Sequence, residues 1–165
     1  MTSLSPLLQA PMVIQLHAFA ALLALALGPV ALWRRRRDRW HKVTGYVWIT
    51  LMAATALSSF WIHSMPMIGP FGPIHALSLW TLCSLTWGLT EAIRGNHRGH
   101  ARIMRSLYLF GLSAAAIFTL LPGRIMHRVL FGEDTQAGLF LIAALIATGL
   151  WLYRRNRRFD VRRNA

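Results

Sequence analysis

Apolar stretches of about 20 residues, each long enough to cross a bilayer as a helix, alternate along this chain with tight clusters of arginine. The first runs from about Pro11 to Trp33 and is followed at once by Arg34, Arg35, Arg36 and Arg37, with Arg39 and Lys42 just beyond. A second extends from about His41 to His63, a third from Pro73 to Ile93, a fourth from His100 to Leu121, and a shorter fifth from Ala137 to Tyr153. Arg94, Arg98, Arg102 and Arg105 separate the third run from the fourth, and six arginines between Arg154 and Arg163 follow the fifth. A soluble domain cannot leave so much apolar side chain facing water, so lipid is the expected solvent. The fold class expected is all-α: a polytopic membrane bundle with a four-helix up-down core and a fifth helix, in one transmembrane domain.

The charge pattern orients that bundle. Hydrophobic residues make up 55% of the chain against 14% charged, and 18 Lys and Arg against five acids give a formal net charge of +13. With the Arg34 cluster in the cytoplasm, 16 of those basic residues are cytoplasmic, and only Arg124 and Arg128 lie on the other side. The positive-inside rule then places the amino terminus outside and the carboxyl terminus in the cytoplasm. Charge grouped in this way sets topology, which argues against nucleic acid as the partner that +13 alone would suggest. The segment before the first run carries no basic residue, the reverse of a cleavable signal, so that run reads as a retained helix. Gly28 and Pro29 are expected to kink it. Trp33, Trp40, Trp61 and Trp151 fall near span ends, where indole rings favour the interface.

Turn chemistry punctuates the rest. Pro66, Gly69, Pro70, Gly72 and Pro73 cannot continue a helix, and Pro73 suits the first helical position of the third span. Pro122 and Gly123 end the fourth. The lone Cys83 lies in an apolar run and reads as a small packed residue. No phosphate-binding glycine loop, nucleophile elbow, paired carboxylates or CxxC motif is present. Any chemistry here is carried by a cofactor, and whether the chain is an oxidoreductase rests on that.

Seven histidines are the chemical signal. Ionisable groups at membrane depth are costly and mark function by default. His17 lies within the first span and His75 near the outer start of the third, while His41 and His100 open the second and fourth from the cytoplasmic side. Diagonal helices of an up-down bundle then pair His17 with His75 and His41 with His100, in two tiers roughly 25 Å apart or less. A bis-histidine haem needs one axial nitrogen from each side of a porphyrin, so haem b, one or two per chain, is the expected cofactor, with iron held by His17, His75, His41 and His100. Propionates want cations: Arg124 or Arg128 outside, and Lys42, Arg102 or Arg105 inside. The plainer reading places His41 and His100 among lipid head groups and gives His75 a local capping role. A zinc site at His97 and His100 lacks carboxylate or thiolate partners apart from Glu91.

Several stretches, His41 to Trp48, Ser59 to Ile62, Gly69 to His75, His100 to Met104 and Phe118 to Arg124, resemble a domain-of-unknown-function family of predicted multi-pass bacterial membrane proteins. The resemblance covers about residues 12–128 and implies the membrane architecture without an activity. The arrangement of helices and histidines is also similar to that of dihaem b-type transmembrane cytochromes. That likeness implies electron transfer between a quinone or other small donor and an acceptor. The alternative is a cofactor-free accessory subunit or small carrier, with Arg124 and a polar face of Thr50, Thr55, Ser58 and Ser59 meeting a partner or solute.

Overall fold

The computed structural model describes residues 4–34, 38–62, 69, 71–132, 136, 138–140 and 143. The helices are α1 (Ser5–Leu8), α2 (Met12–Trp33), α3 (Arg39–Ser58), α4 (Pro73–Ile93), α5 (His97–Ser106), α6 (Leu112–Leu120) and α7 (Ile125–Phe131). A 3-10 turn, Ser59–Trp61, extends α3, and a π-helical turn, Leu107–Gly111, joins α5 to α6. No strand occurs among the described residues. Residues 7–118 form one compact unit; residues 1–6 with 119–165 form another. The fifth span expected at Ala137–Tyr153 lies almost wholly outside the described residues, as does His63.

Among the described residues, three stretches are long and apolar enough to cross a membrane: Met12–Trp33, Arg39–Trp61 and His97–Leu120. Pro73–Ile93, expected as a fourth, has the length at 21 residues but carries more hydroxyls. Ser78, Thr81, Thr86 and Thr90 each bond the carbonyl four residues back, which satisfies a hydroxyl within its own helix where water is absent. Two spans begin earlier than their apolar runs. Asp38 caps α3 by accepting the His41 N–H at 3.0 Å, and Asn96 caps α5 by accepting the Gly99 N–H at 3.1 Å. A polar cap precedes the first helical turn, so counting apolar residues alone starts the helix late.

Contacts within the first unit establish an antiparallel ring. His17 meets Ser58, Ala24 meets Trp48, and Arg34 meets Asp38, so α2 and α3 run in opposite directions. Ser59 with Ser78 and Phe60 with His75 do the same for α3 and α4. The Gly88 carbonyl with His100 sets α4 against α5, and Leu32 with Arg105 and Leu25 with Tyr108 set α2 against the α5 end of the last span. Each helix therefore has two sequential or closing neighbours, the up-down ring that the four runs predict. His17 and His75 lie at one end of it. His41 and His100 lie at the other.

Small residues line the contact and large ones face outward. Ala18, Ala20, Ala24, Gly28 and Ala31 are the buried positions of α2, whereas Phe19, Tyr46, Trp87 and Phe110 are each more than 60% exposed. That inside-out distribution suits lipid, where close backbone approach replaces hydrophobic burial as the source of packing energy. Trp48, 1% exposed, fills the middle of the ring and donates its Nε1–H to the Ala24 carbonyl at 3.0 Å. Met52, Leu85, Met104 and Leu107 complete this core.

The second unit holds a buried histidine. His127 is 2% exposed, and its Nδ1–H donates to the Leu120 carbonyl at 2.9 Å, closing the turn through Pro122 and Gly123. Gly123 takes a φ of +83°, which a side chain would strain. A Cβ at Gly138 would run into the His127 ring, so only glycine lets that backbone approach it.

Candidate functional site

The Arg34 end of the four-helix ring encloses a cavity of about 600 Å³, within the range of small-molecule sites. All four helical spans contribute. Ala31 and Leu32 come from α2, Ile49 from α3, Leu89 from α4 and Met104 from α5, and these form apolar wall. His41 opens α3 and His100 sits in the first turns of α5, and both line this one cavity. His97, one turn before His100, lines it too. Among the described residues, Arg34, Lys42 and Arg105 are the cations that line it, and no carboxylate does.

The proton on His100 is fixed by its partner. Nδ1 lies 2.8 Å from the Gly88 carbonyl, which can only accept, so Nδ1 carries the hydrogen and Nε2 keeps a lone pair. A metal-ligating histidine is held in the same way, by its distal N–H on a carbonyl. Gly88 also lets α5 come close: a Cβ there would overlap the Met104 Cε.

His41 is positioned from its backbone. Asp38 accepts the His41 N–H through Oδ1, and the same carboxylate takes a bidentate pair from Arg34, Nε at 3.0 Å and a terminal nitrogen at 2.5 Å. One acid thus joins the end of α2 to the start of α3. The Arg34 guanidinium and the His41 N–H together hold the Asp38 carboxyl well below the usual carboxylate range. They ionise it at any physiological pH. Sequence reading passed over Asp38, although an acid just ahead of an apolar run is a helix-start signal.

The other end of the ring is a network of hydroxyls and imidazoles. His17 Nδ1 lies 3.0 Å from Ser58 Oγ, and Ser58 Oγ–H reaches the Thr55 carbonyl at 3.0 Å. With that proton committed to the carbonyl, His17 Nδ1 is the donor and its Nε2 holds the lone pair. Ser59 and Ser78, both buried, meet at 2.5 Å between α3 and α4. His75, 5% exposed, packs between the rings of Phe60 and Phe71. Its Nδ1 accepts the Gly72 N–H at 3.1 Å, the reach-back of an N3 side chain to the N-cap amide. A neutral ring used this way carries its hydrogen on Nε2, which does not fit iron ligation through that atom. The local capping role fits His75.

Arg124 stands at the N-terminus of α7 in the second unit, with Arg128 one turn further on. Thr50 is exposed on α3, and Thr55 bonds the Leu51 carbonyl. Among the described residues no cluster of three or more His, Cys, Asp or Glu has the makings of a metal site. Three imidazoles among the described residues line the cavity, and a porphyrin-bound iron would require two of them, one from each side.

An all-α chain with three membrane-length apolar helices, polar groups turned inward and bulky apolar side chains turned outward is a helical membrane protein. Residues 14–152 match the family described as predicted membrane protein DUF2306, and the chain belongs to that family, whose function is unknown. Comparison with curated proteins and with solved structures found no match.

Proposed function

We propose that this is a b-type haem electron-transfer protein of the bacterial inner membrane, with His41 and His100 as the axial pair at its cytoplasmic end. When bound, haem would supply one-electron chemistry between a small donor, such as the reduced quinol form of a quinone, and an acceptor. The supporting observation is that His41 and His100, 59 positions apart in sequence, line one apolar-walled cavity edged by cations. The chain's own residues prepare that site. Gly88 fixes the His100 tautomer, Asp38 anchors the first turn that carries His41, and Leu32, Ile49 and Leu89 supply apolar wall. Apolar walls and cations at the rim would act in the same direction on a bound iron, since each disfavours the extra positive charge of the ferric form.

The outer tier is not carried into this proposal. His17 offers a suitable nitrogen, but His75 spends Nδ1 on the Gly72 amide. The site accordingly holds one haem per chain, and electrons enter and leave near the cytoplasmic face. Multi-pass insertion with the amino terminus outside is part of the same reading and rests on the arginine distribution.

Haem quantified by pyridine haemochrome against protein mass, in full-length chain purified from haem-replete membranes, tests the proposal. A ratio near one, lost in His100→Ala and His41→Ala, is expected. A folded preparation without haem rejects the cytochrome reading and leaves the accessory subunit or carrier.

A further inference from the structure

Three cations line the cavity, and they are not equivalent. Arg34 meets Asp38 along one edge of its guanidinium, through Nε and one terminal nitrogen, and a bidentate pair of this kind compensates its charge. Arg105 is different. Its Nε–H reaches the Leu32 carbonyl at 3.4 Å, which aims the fork while leaving both terminal nitrogens for an acceptor. Lys42, one position after His41, brings an ammonium to the same rim. Arg98 and Arg102, also on α5, are exposed and do not line the cavity. Among the described residues, the site therefore presents an apolar body with two positive charges at its edge that Asp38 does not compensate.

We infer that this cavity selects a flat apolar ligand bearing two carboxylates, that Lys42 and Arg105 each hold one of them, and that Asp38 limits the site to two charges by sequestering Arg34. The inference rests on the haem proposal for the identity of the ligand but concerns its acid groups, which act with or without iron. It narrows the inner propionate partners from Lys42, Arg102 or Arg105 to Lys42 and Arg105. It also gives Asp38 a second task beyond the cap. A third free cation would leave one charge at the rim without an acid.

Iron-free protoporphyrin IX tests this directly, because it needs no axial ligand. Binding to the full-length chain in detergent is followed by porphyrin fluorescence, with protoporphyrin dimethyl ester as the uncharged comparison. The diacid is expected to bind at least about tenfold more tightly than the diester. Lys42→Gln and Arg105→Gln should each remove about tenfold from the diacid and leave the diester unchanged. Arg98→Gln should alter neither. Asp38→Asn keeps a capping side chain but frees Arg34, so it should tighten diacid binding severalfold. His100→Ala should keep the diacid preference even though it loses ferric haem.

Equal binding of diacid and diester overturns the inference, as does a loss in Arg102→Gln matching that in Arg105→Gln. A lipid headgroup as the true anion gives another pattern: nanodiscs containing phosphatidylglycerol, unlike phosphatidylcholine nanodiscs, would abolish porphyrin binding in wild type. That result overturns it too. A chain isolated without haem that still prefers the diacid refutes the haem proposal and leaves the charge selection standing.

Discussion

The hydroxyl of Tyr108 donates to the carbonyl of Leu25 at 3.0 Å, on the one helical turn of α2 that has lost its own donor. Pro29 stands four residues after Leu25 and has no N–H, so the carbonyl would otherwise face hydrocarbon unbonded. Gly28 makes the approach possible, since a Cβ there would occupy the space of the Tyr108 ring. Tyr108 itself lies in the π-turn Leu107–Gly111, an irregular backbone segment of the kind often kept at functional sites. Two helix defects thus face each other and are closed by one hydrogen bond.

Removing that bond should be costly only while the proline is present. Tyr108→Phe is expected to destabilise the folded protein by about 1 kcal/mol, in the range measured for interhelical hydrogen bonds in membranes. Pro29→Ala restores an amide for Leu25, so Tyr108→Phe in that background should cost much less. Unfolding in mixed micelles across the double-mutant cycle measures the coupling, and additive effects would show that the carbonyl was not the partner that mattered.

Glycine at two positions is a matter of space. Gly28→Val should destabilise by about 1–3 kcal/mol by driving Tyr108 from its place. Gly45 has no atom within 4 Å of where a Cβ would stand, so Gly45→Ala should gain about 0.5–1 kcal/mol from helix propensity. The same unfolding assay reads both, and opposite signs are the expected result.

His75 should behave as a cap. His75→Ala is expected to cost about 1 kcal/mol, with part recovered by His75→Gln, whose side chain reaches back to the Gly72 amide. Haem content should be retained in both variants. Loss of haem in His75→Ala with stability unchanged would restore the outer tier.

The architecture was legible because its signals are long and repetitive. Apolar runs divided by arginines, proline at Pro73 and the Pro122–Gly123 stop needed only periodicity and charge to read. Alternation around an up-down ring puts His41 and His100 at one end, and both residues line one cavity there. What was hidden depends on single atoms. Nothing in the sequence says which nitrogen of His75 meets the Gly72 amide, that Asp38 joins Arg34 to the His41 turn, or that Tyr108 answers Pro29 from 79 positions away. The setting of His127 was hidden for a related reason: its burial against Leu120 and Gly138 arises from a tight turn, which hydropathy does not describe.

Asp38 gives a pH dependence of definite sign. Its carboxyl is held below its ordinary range in the folded protein, first by the Arg34 hydrogen bond and then by the His41 amide. The stabilisation is therefore complete above the unfolded carboxylate pKa and fades only as pH falls through the lower folded value. Protection of the His41 amide from hydrogen exchange, relative to the intrinsic rate, should persist at pH 4 and be lost well below it. Asp38→Ala should lack that protection at every pH, and equal protection in the variant would remove Asp38 from its capping role.

Low-temperature electron paramagnetic resonance of the oxidised protein asks most directly whether His41 and His100 grip one iron. A low-spin bis-imidazole signal is predicted for wild type and for His17→Ala, giving way to high-spin iron or no haem when either His41 or His100 is replaced by alanine. A bis-imidazole signal that survives both replacements, or that disappears in His17→Ala alone, would contradict the account.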